Sequence, residues 1–180
     1  FKSQTIENIG SAKPGLQTGL NHRFLRFWWE LDKDEFSIKN GDNKKWVNYA
    51  KGGDYNKWVG NLWLKVNWAN SGFDIHDFNN VPLDYNGAPV RNKKFYFKEG
   101  ITYSATGGKP SFRILPENSI FDVGGASIFD DETQSPYYAI ALLNSKVTHY
   151  ILDCLNPTSN IQKGDIDRLL YFEDKENKIL

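Results

Sequence analysis

The sequence predicts an α+β domain: mostly antiparallel strands in a twisted sheet, followed by one long helix near the carboxy terminus. Three observations predict it. Short β-forming stretches recur between turns rich in Gly, Asn and Asp. From residue 62 to 68 the chain alternates, with Leu62, Leu64, Val66 and Trp68 on one face and Trp63, Lys65 and Asn67 on the other, the period of a half-buried strand. From Tyr137 to Leu155 the apolar residues recur at helical spacing instead. A chain of 180 residues is long enough to bury a core. We expect one domain overall, β-rich over residues 1–135, with a helix and carboxy-terminal arm at 136–180 packed on it.

Taken in order, residues 10–21 are Gly, Pro and small polar residues and read as a loop. The segment HRFLRFWWELD is apolar and β-forming, with Phe24, Phe27 and Trp29 expected in the core. Asn40-Gly41-Asp42-Asn43 marks a turn before a strand at Trp46–Tyr49, and Lys51-Gly52-Gly53-Asp54 marks the next. Residues 69–92 form a polar excursion with turns at Asn70-Ser71-Gly72 and Asn86-Gly87. Lys94–Lys98, Ile101–Ser104, Phe112–Leu115 and Ser119–Val123 read as strands, separated at Gly107-Gly108 and Pro116-Glu117-Asn118. Gly124-Gly125-Ala126-Ser127 permits a close backbone approach. Pro136 suits the first turn of the long helix, which ends before Asn156-Pro157. Gly164–Arg168 opens a short last segment, and the tail EDKENKIL is charged and expected to fray.

Composition narrows the function. Apolar residues at 39% and charged residues at 24% describe an ordinary folded domain. No apolar run approaches the roughly 20 residues of a membrane span, and the first 15 residues lack the apolar stretch of a secretory signal. One cysteine, Cys154, excludes an internal disulfide and fits a reducing cytoplasm. With it and three scattered histidines (His22, His76, His149), a structural zinc site is not expected. The lack of any methionine leads us to expect a piece of a longer chain.

The zero net charge hides a gradient. Residues 1–113 carry 17 Lys/Arg against 11 Asp/Glu, and residues 114–180 carry 5 against 11. In KKWVNYAKGGDYNKW and RNKKFYFK, basic and aromatic residues interleave. This makes Lys44, Lys45, Lys51, Lys57, Arg91, Lys93 and Lys94 candidates for neutralising phosphates, and Gly52 and Gly53 candidates for offering backbone N–H groups to one. Trp46, Tyr49 and Trp58 serve equally well as core or as stacking residues. Gly107-Gly108 and Gly124-Gly125 lack the strand–loop–helix setting of a cofactor loop. Asp130-Asp131-Glu132 reads as a solvated acidic run rather than a metal site.

GLQTGLNHRFLRFWWEL, KWVNYAKGGDYNKWVGN, FKEGITYSATGGKPSFRILPENSIFDVGGASIF and ALLNSKVTHYILDCLNPTSNIQKGDI together resemble, in order and spacing, the carboxy-terminal half of PglX-like adenine-specific DNA methyltransferases of BREX phage defence, and the related restriction–modification methylases. The likeness spans roughly residues 15–170. It implies a target-recognition domain that binds double-stranded DNA. It also implies an upstream domain of the same chain that holds S-adenosylmethionine and transfers the methyl group, with other defence-system subunits as further partners. It places the Thr18-Gly19 loop with Asn21 and Arg23, the Lys51-Gly52-Gly53 turn, and the loops at Thr102–Ser104 and Arg113 toward DNA. Leu20 stands where the family usually has a polar residue. The catalytic Asn/Asp-Pro-Pro-Tyr/Phe turn of that class has only Asn156-Pro157-Thr158 as a counterpart, without the second proline or the ring. We therefore expect no catalytic site and no cofactor in this stretch. The competing expectations are a docking domain of a defence complex, using the long helix, and a carbohydrate-binding module with a planar strip of exposed Trp.

Overall fold

The computed structural model describes residues 4–39, 41–106, 109–129, 136–158 and 160–171. The α+β class holds, but the strands form three small sheets rather than one. A four-stranded sheet, ordered β2-β4-β3-β7, contains β2 (Leu25–Phe27), β3 (Trp46–Ala50), β4 (Leu64–Asn67) and β7 (Ser119–Phe121). Its pairs are antiparallel except β3 with β7. A three-stranded antiparallel sheet, ordered β6-β5-β8, contains β5 (Gly100–Tyr103), β6 (Phe112–Leu115) and β8 (Ser127–Ile128). A third pair joins β1 (Gln4–Thr5) to β9 (Leu170–Tyr171), so the described ends of the chain meet.

The amino-terminal loop stitches the two larger sheets together. Lys13 exchanges both backbone hydrogen bonds with Ser127 beside β5, while the Leu16 N–H donates to the Phe121 carbonyl at the end of β7. Tyr49 of β3 adds a phenolic O–H to the Leu16 carbonyl at 2.8 Å. One core lies behind the four-stranded sheet, built on Leu16, Phe24, Val66, Ile75, Ile120 and Phe121. The other joins Tyr103 and Phe112 to Ile6, Ile140, Leu152 and Tyr171 from both ends of the chain.

Four expectations are corrected. HRFLRFWWELD is not a strand throughout: a helical turn, α2 (Asn21–Phe24), leads into β2, and a 3-10 turn at Trp28–Glu30 follows. Phe24 is buried as expected, but Phe27 and Trp29 are exposed, because the 3-10 turn lifts the chain off the sheet immediately after β2. Lys94–Lys98 is not a strand either: Asn92, at φ 56°, opens a 3-10 turn at Lys93–Phe95, and Phe97, at φ 61°, turns the chain again. The long helix is two helices, α4 (Pro136–Leu143) and α5 (Lys146–Leu155). Its break is chemical. The Asn144 amide clamps Phe112 of β6, accepting from its N–H at 3.1 Å and donating to its carbonyl at 2.9 Å. Ser145 then caps α5, accepting from the Thr148 N–H.

Within the polar excursion lies α3 (Ala69–Phe78), and short helices α1 (Ile6–Gly10) and α6 (Lys163–Asp167) flank the terminal pair. Among the described residues no helix is long and apolar enough to cross a membrane. Asn40, Gly107, Gly108, the Asp130–Glu132 run and the tail from 173 lie outside the described residues.

Candidate nucleic-acid interface

The turn that replaces the expected strand at 94–98 sorts its side chains. Phe95 goes inward and stacks on Phe129 with ring centroids 4.9 Å apart, while Lys94 and Lys98 stay outside. Their ammonium groups lie 5.0 and 5.8 Å from the centroid of the Phe95 ring, and that of Lys13 lies 5.1 Å from it. Asn92 holds the two stretches together by donating to the Pro14 carbonyl at 2.8 Å. The ion pairs of the described residues, Lys163–Asp167 and Arg168–Asp165, both lie within or at the end of α6. Three cations therefore share one ring with no carboxylate among the described residues paired to them. Lys13 was not a candidate from sequence, because it stands about 80 positions from its neighbours in this cluster.

The other basic stretch approaches the same region. Lys44 and Lys45 are exposed and line a cavity whose wall also includes Phe97. Lys45 and Arg26 both stand over Trp46, at 5.4 and 5.6 Å from its ring. Nearby in sequence, Lys93 is half-buried and donates to the Leu83 carbonyl. Arg91 is half-buried too.

The Lys51–Lys57 loop sits elsewhere, against the three-stranded sheet, and much of its chemistry is spent internally. Gly52 packs on Gly124 so closely that a Cβ would stand 2.4 Å from the Gly124 carbonyl oxygen, which is the close approach expected of the Gly124-Gly125 pair. The Gly53 N–H donates to Ser104 Oγ at 3.1 Å. Lys57 donates to the Asn144 carbonyl at 2.8 Å; Lys51 is half-buried. Beneath the loop lies Arg113, with no exposed surface. Its guanidinium donates to Ser104 Oγ and Ser111 Oγ at 3.1 and 3.0 Å and to the carbonyls of Asn56 and Ser111. Among the described residues no carboxylate pairs with it, and burial pushes its pKa down to about 10. Thr102 is buried as well, donating to the Gly125 carbonyl at 3.0 Å.

The Thr18 loop is divided. Thr18 is buried and donates to Asn21 Oδ1 at 2.7 Å; Gly19, Asn21 and Arg23 are exposed. Arg23 lies 5.2 Å from the Phe24 ring and 5.4 Å from that of Phe78. The structure thus brings Lys94 together with Lys13 and Lys98, and Lys51–Lys57 together with Ser104 and Arg113, as two separate groups. Exposed aromatics also gather at Phe27, Trp28 and Trp29, but Trp28 stands at 86° to Trp29, so they make no planar strip. Asn156 closes the end of α5, donating to Asp165 and accepting from the Thr158 N–H.

No family model matches the chain. It is 34% identical over 176 residues to an adenine-specific methyltransferase PglX of Lacticaseibacillus casei, and 36% identical over 161 residues to an adenine-specific methyltransferase BrxX of Escherichia coli. These matches cover 92% and 86% of the chain, but 14% and 12% of the relatives' own lengths. Over most of its length, then, this chain is a homologue of one segment of the adenine-specific methyltransferases PglX and BrxX.

Proposed function

We propose that this chain is the DNA target-recognition region of an adenine-N6 DNA methyltransferase of phage defence, binding duplex DNA and presenting it to a catalytic domain elsewhere in the parent chain. The observation that carries this reading is the Lys13–Lys94–Lys98 cluster on Phe95, unpaired among the described residues. Like charges crowd without neutralisation where a polyanion supplies the counter-charge. In this reading the exposed Lys44 and Lys45 extend the phosphate-binding face. Buried Thr18, Thr102, Ser104 and Arg113 hold loops in shape rather than touch DNA. S-adenosylmethionine and methyl transfer belong to the remainder of the parent protein.

A second reading, docking within a defence complex, draws on α5, where Val147 and Tyr150 stand 66% and 72% exposed three residues apart.

Fluorescence anisotropy with mixed-sequence duplex DNA over a salt series separates the two. The reading predicts an affinity that falls steeply with salt. In a K13A/K94A/K98A variant the slope of log K against log salt shrinks by about 2 to 3, at roughly 0.9 per lost phosphate contact. Binding that ignores both salt and these lysines would contradict it.

A further inference from the structure

Backbone strain gathers at one cavity. A pocket of about 520 Å³ opens between the loop before β3, the start of α3 and Phe97, within the roughly 300–1,000 Å³ of small-molecule sites. Asn43, Asn70, Ser71 and Phe97 all line it, and all four hold positive φ, at 51°, 50°, 61° and 61°. Eight non-glycine residues do so among those described, so half of this costly backbone surrounds a single cavity. Such strain persists only where the surroundings enforce it, and it clusters at ligand sites.

The enforcement is visible. Asn70, Ser71 and Gly72 are left-handed in succession. Gly72 lies beneath Trp68, where a Cβ would stand 2.5 Å from the indole. The Trp68 N–H is tied to the Lys45 carbonyl at 2.8 Å, and Asn67 accepts from the Ala69 N–H while donating to Asp74. Asp42 is the acid in the wall, and its carboxylate accepts from the N–H groups of Ile38 and Lys39. Against that one carboxylate stand two ammonium groups, those of Lys44 and Lys45, neither in an ion pair among the described residues, so the balance of charge there is positive.

The wall thus offers aromatic rings (Trp68, Phe97), amide and hydroxyl groups (Asn43, Asn70, Ser71) and two ammonium groups. We infer that this pocket holds one unpaired nucleotide, its base among the aromatic and amide groups and its phosphate toward Lys44 and Lys45. A base within a duplex is already stacked, so the occupant is one extruded from the helix. The inference rests on the DNA-binding reading and adds to it a single-nucleotide subsite.

Two measurements test it: anisotropy with a perfect duplex and with the same duplex carrying one bulged nucleotide, and ¹⁵N–¹H NMR titration with thymidine 5′-monophosphate. Each is made on the wild-type chain and on Ala69→Trp, which fills the pocket while leaving every lysine in place. Stacking and pairing of one base predicts about tenfold tighter binding of the bulged duplex. Ala69→Trp erases that advantage while perfect-duplex affinity stays, and the mononucleotide shifts the amides of Lys44, Lys45, Trp68 and Ser71. Perfect-duplex binding with no bulge advantage and no pocket shifts would overturn the subsite and leave the DNA reading standing. Pocket shifts without duplex binding would uphold a nucleotide site and sink the DNA reading. Should Ala69→Trp not fold, the wild-type shift map decides alone.

Discussion

Two groups of cations in this molecule carry the same sequence signature and do opposite things. Around Phe95, Lys94 and Lys98 are exposed and Lys13 half-buried, their ammonium groups on one ring. Around Ser104, Arg113 has no exposed surface and spends its guanidinium on Ser104, Ser111 and Asn56. Both lie near aromatic residues and glycine-containing turns. What separates them is whether the polar atoms of the protein already satisfy the cation. A guanidinium whose two terminal nitrogens are held by hydroxyls and carbonyls shapes a loop; an ammonium left on a ring is available to a ligand.

The largest expected effect breaks the buried group. Arg113→Ala strips Ser104, Ser111 and the Asn56 carbonyl of their partner and opens a cavity beneath the Lys51–Lys57 loop. It is expected to cost about 3–5 kcal/mol in a urea titration, the range for disrupted buried polar networks. A loss under about 1 kcal/mol, with DNA affinity abolished, would instead make Arg113 a contact residue. Next comes the exposed group. The K13A/K94A/K98A variant is expected to keep its stability to within about 0.5 kcal/mol for each surface substitution, while DNA affinity falls by at least about tenfold at low salt.

A third cation sharpens the contrast through pH. Lys65 of β4 is buried, donates to Asn48 and lies 4.8 Å from the Phe36 ring. Burial lowers its pKa from 10.5, so the folded state gives up a proton that the unfolded chain still holds. Its contribution to stability therefore rises with pH in the window just below 10.5. Lys65→Met removes the titrating group and is expected to flatten that rise in denaturant midpoints measured from pH 8 to 10; an unchanged slope would show that Lys65 is not its source. The smallest effect concerns Trp29. Exposed and stacked on Phe27 at 4.5 Å, it is expected to cost less than about 1.5 kcal/mol on mutation to Ala, against about 3–5 for a core tryptophan.

These contrasts show how far the residues alone could be read. The strands at 46–50, 64–67, 100–103, 112–115 and 119–121 were legible because each is a short β-forming run closed by turn residues. Lys94–Lys98 misled because Phe-Tyr-Phe between lysines imitates a strand. Asn92 is of a type that tolerates positive φ, but the positive φ at Phe97 leaves no mark in local propensity. The helix break at Asn144 was written in Asn-Ser, a bridging amide followed by a cap, but apolar periodicity runs through it unbroken. Lys13 joined the cluster only through tertiary contact. The buried state of Arg113 depended on three neutral partners, of which Asn56 and Ser104 come from two other segments. The cavity at Ser71 was foreshadowed only as a turn at Asn70-Ser71-Gly72.

The proposed role of this segment is to read the DNA target. The most direct measurement places the chain in the L. casei methyltransferase in place of the matched 14% of that protein and maps adenine methylation across a plasmid by single-molecule sequencing. Methylation is expected to persist but to move to a different recognition sequence. Methylation at the original sequence, undiminished, would show that the segment does not choose the target.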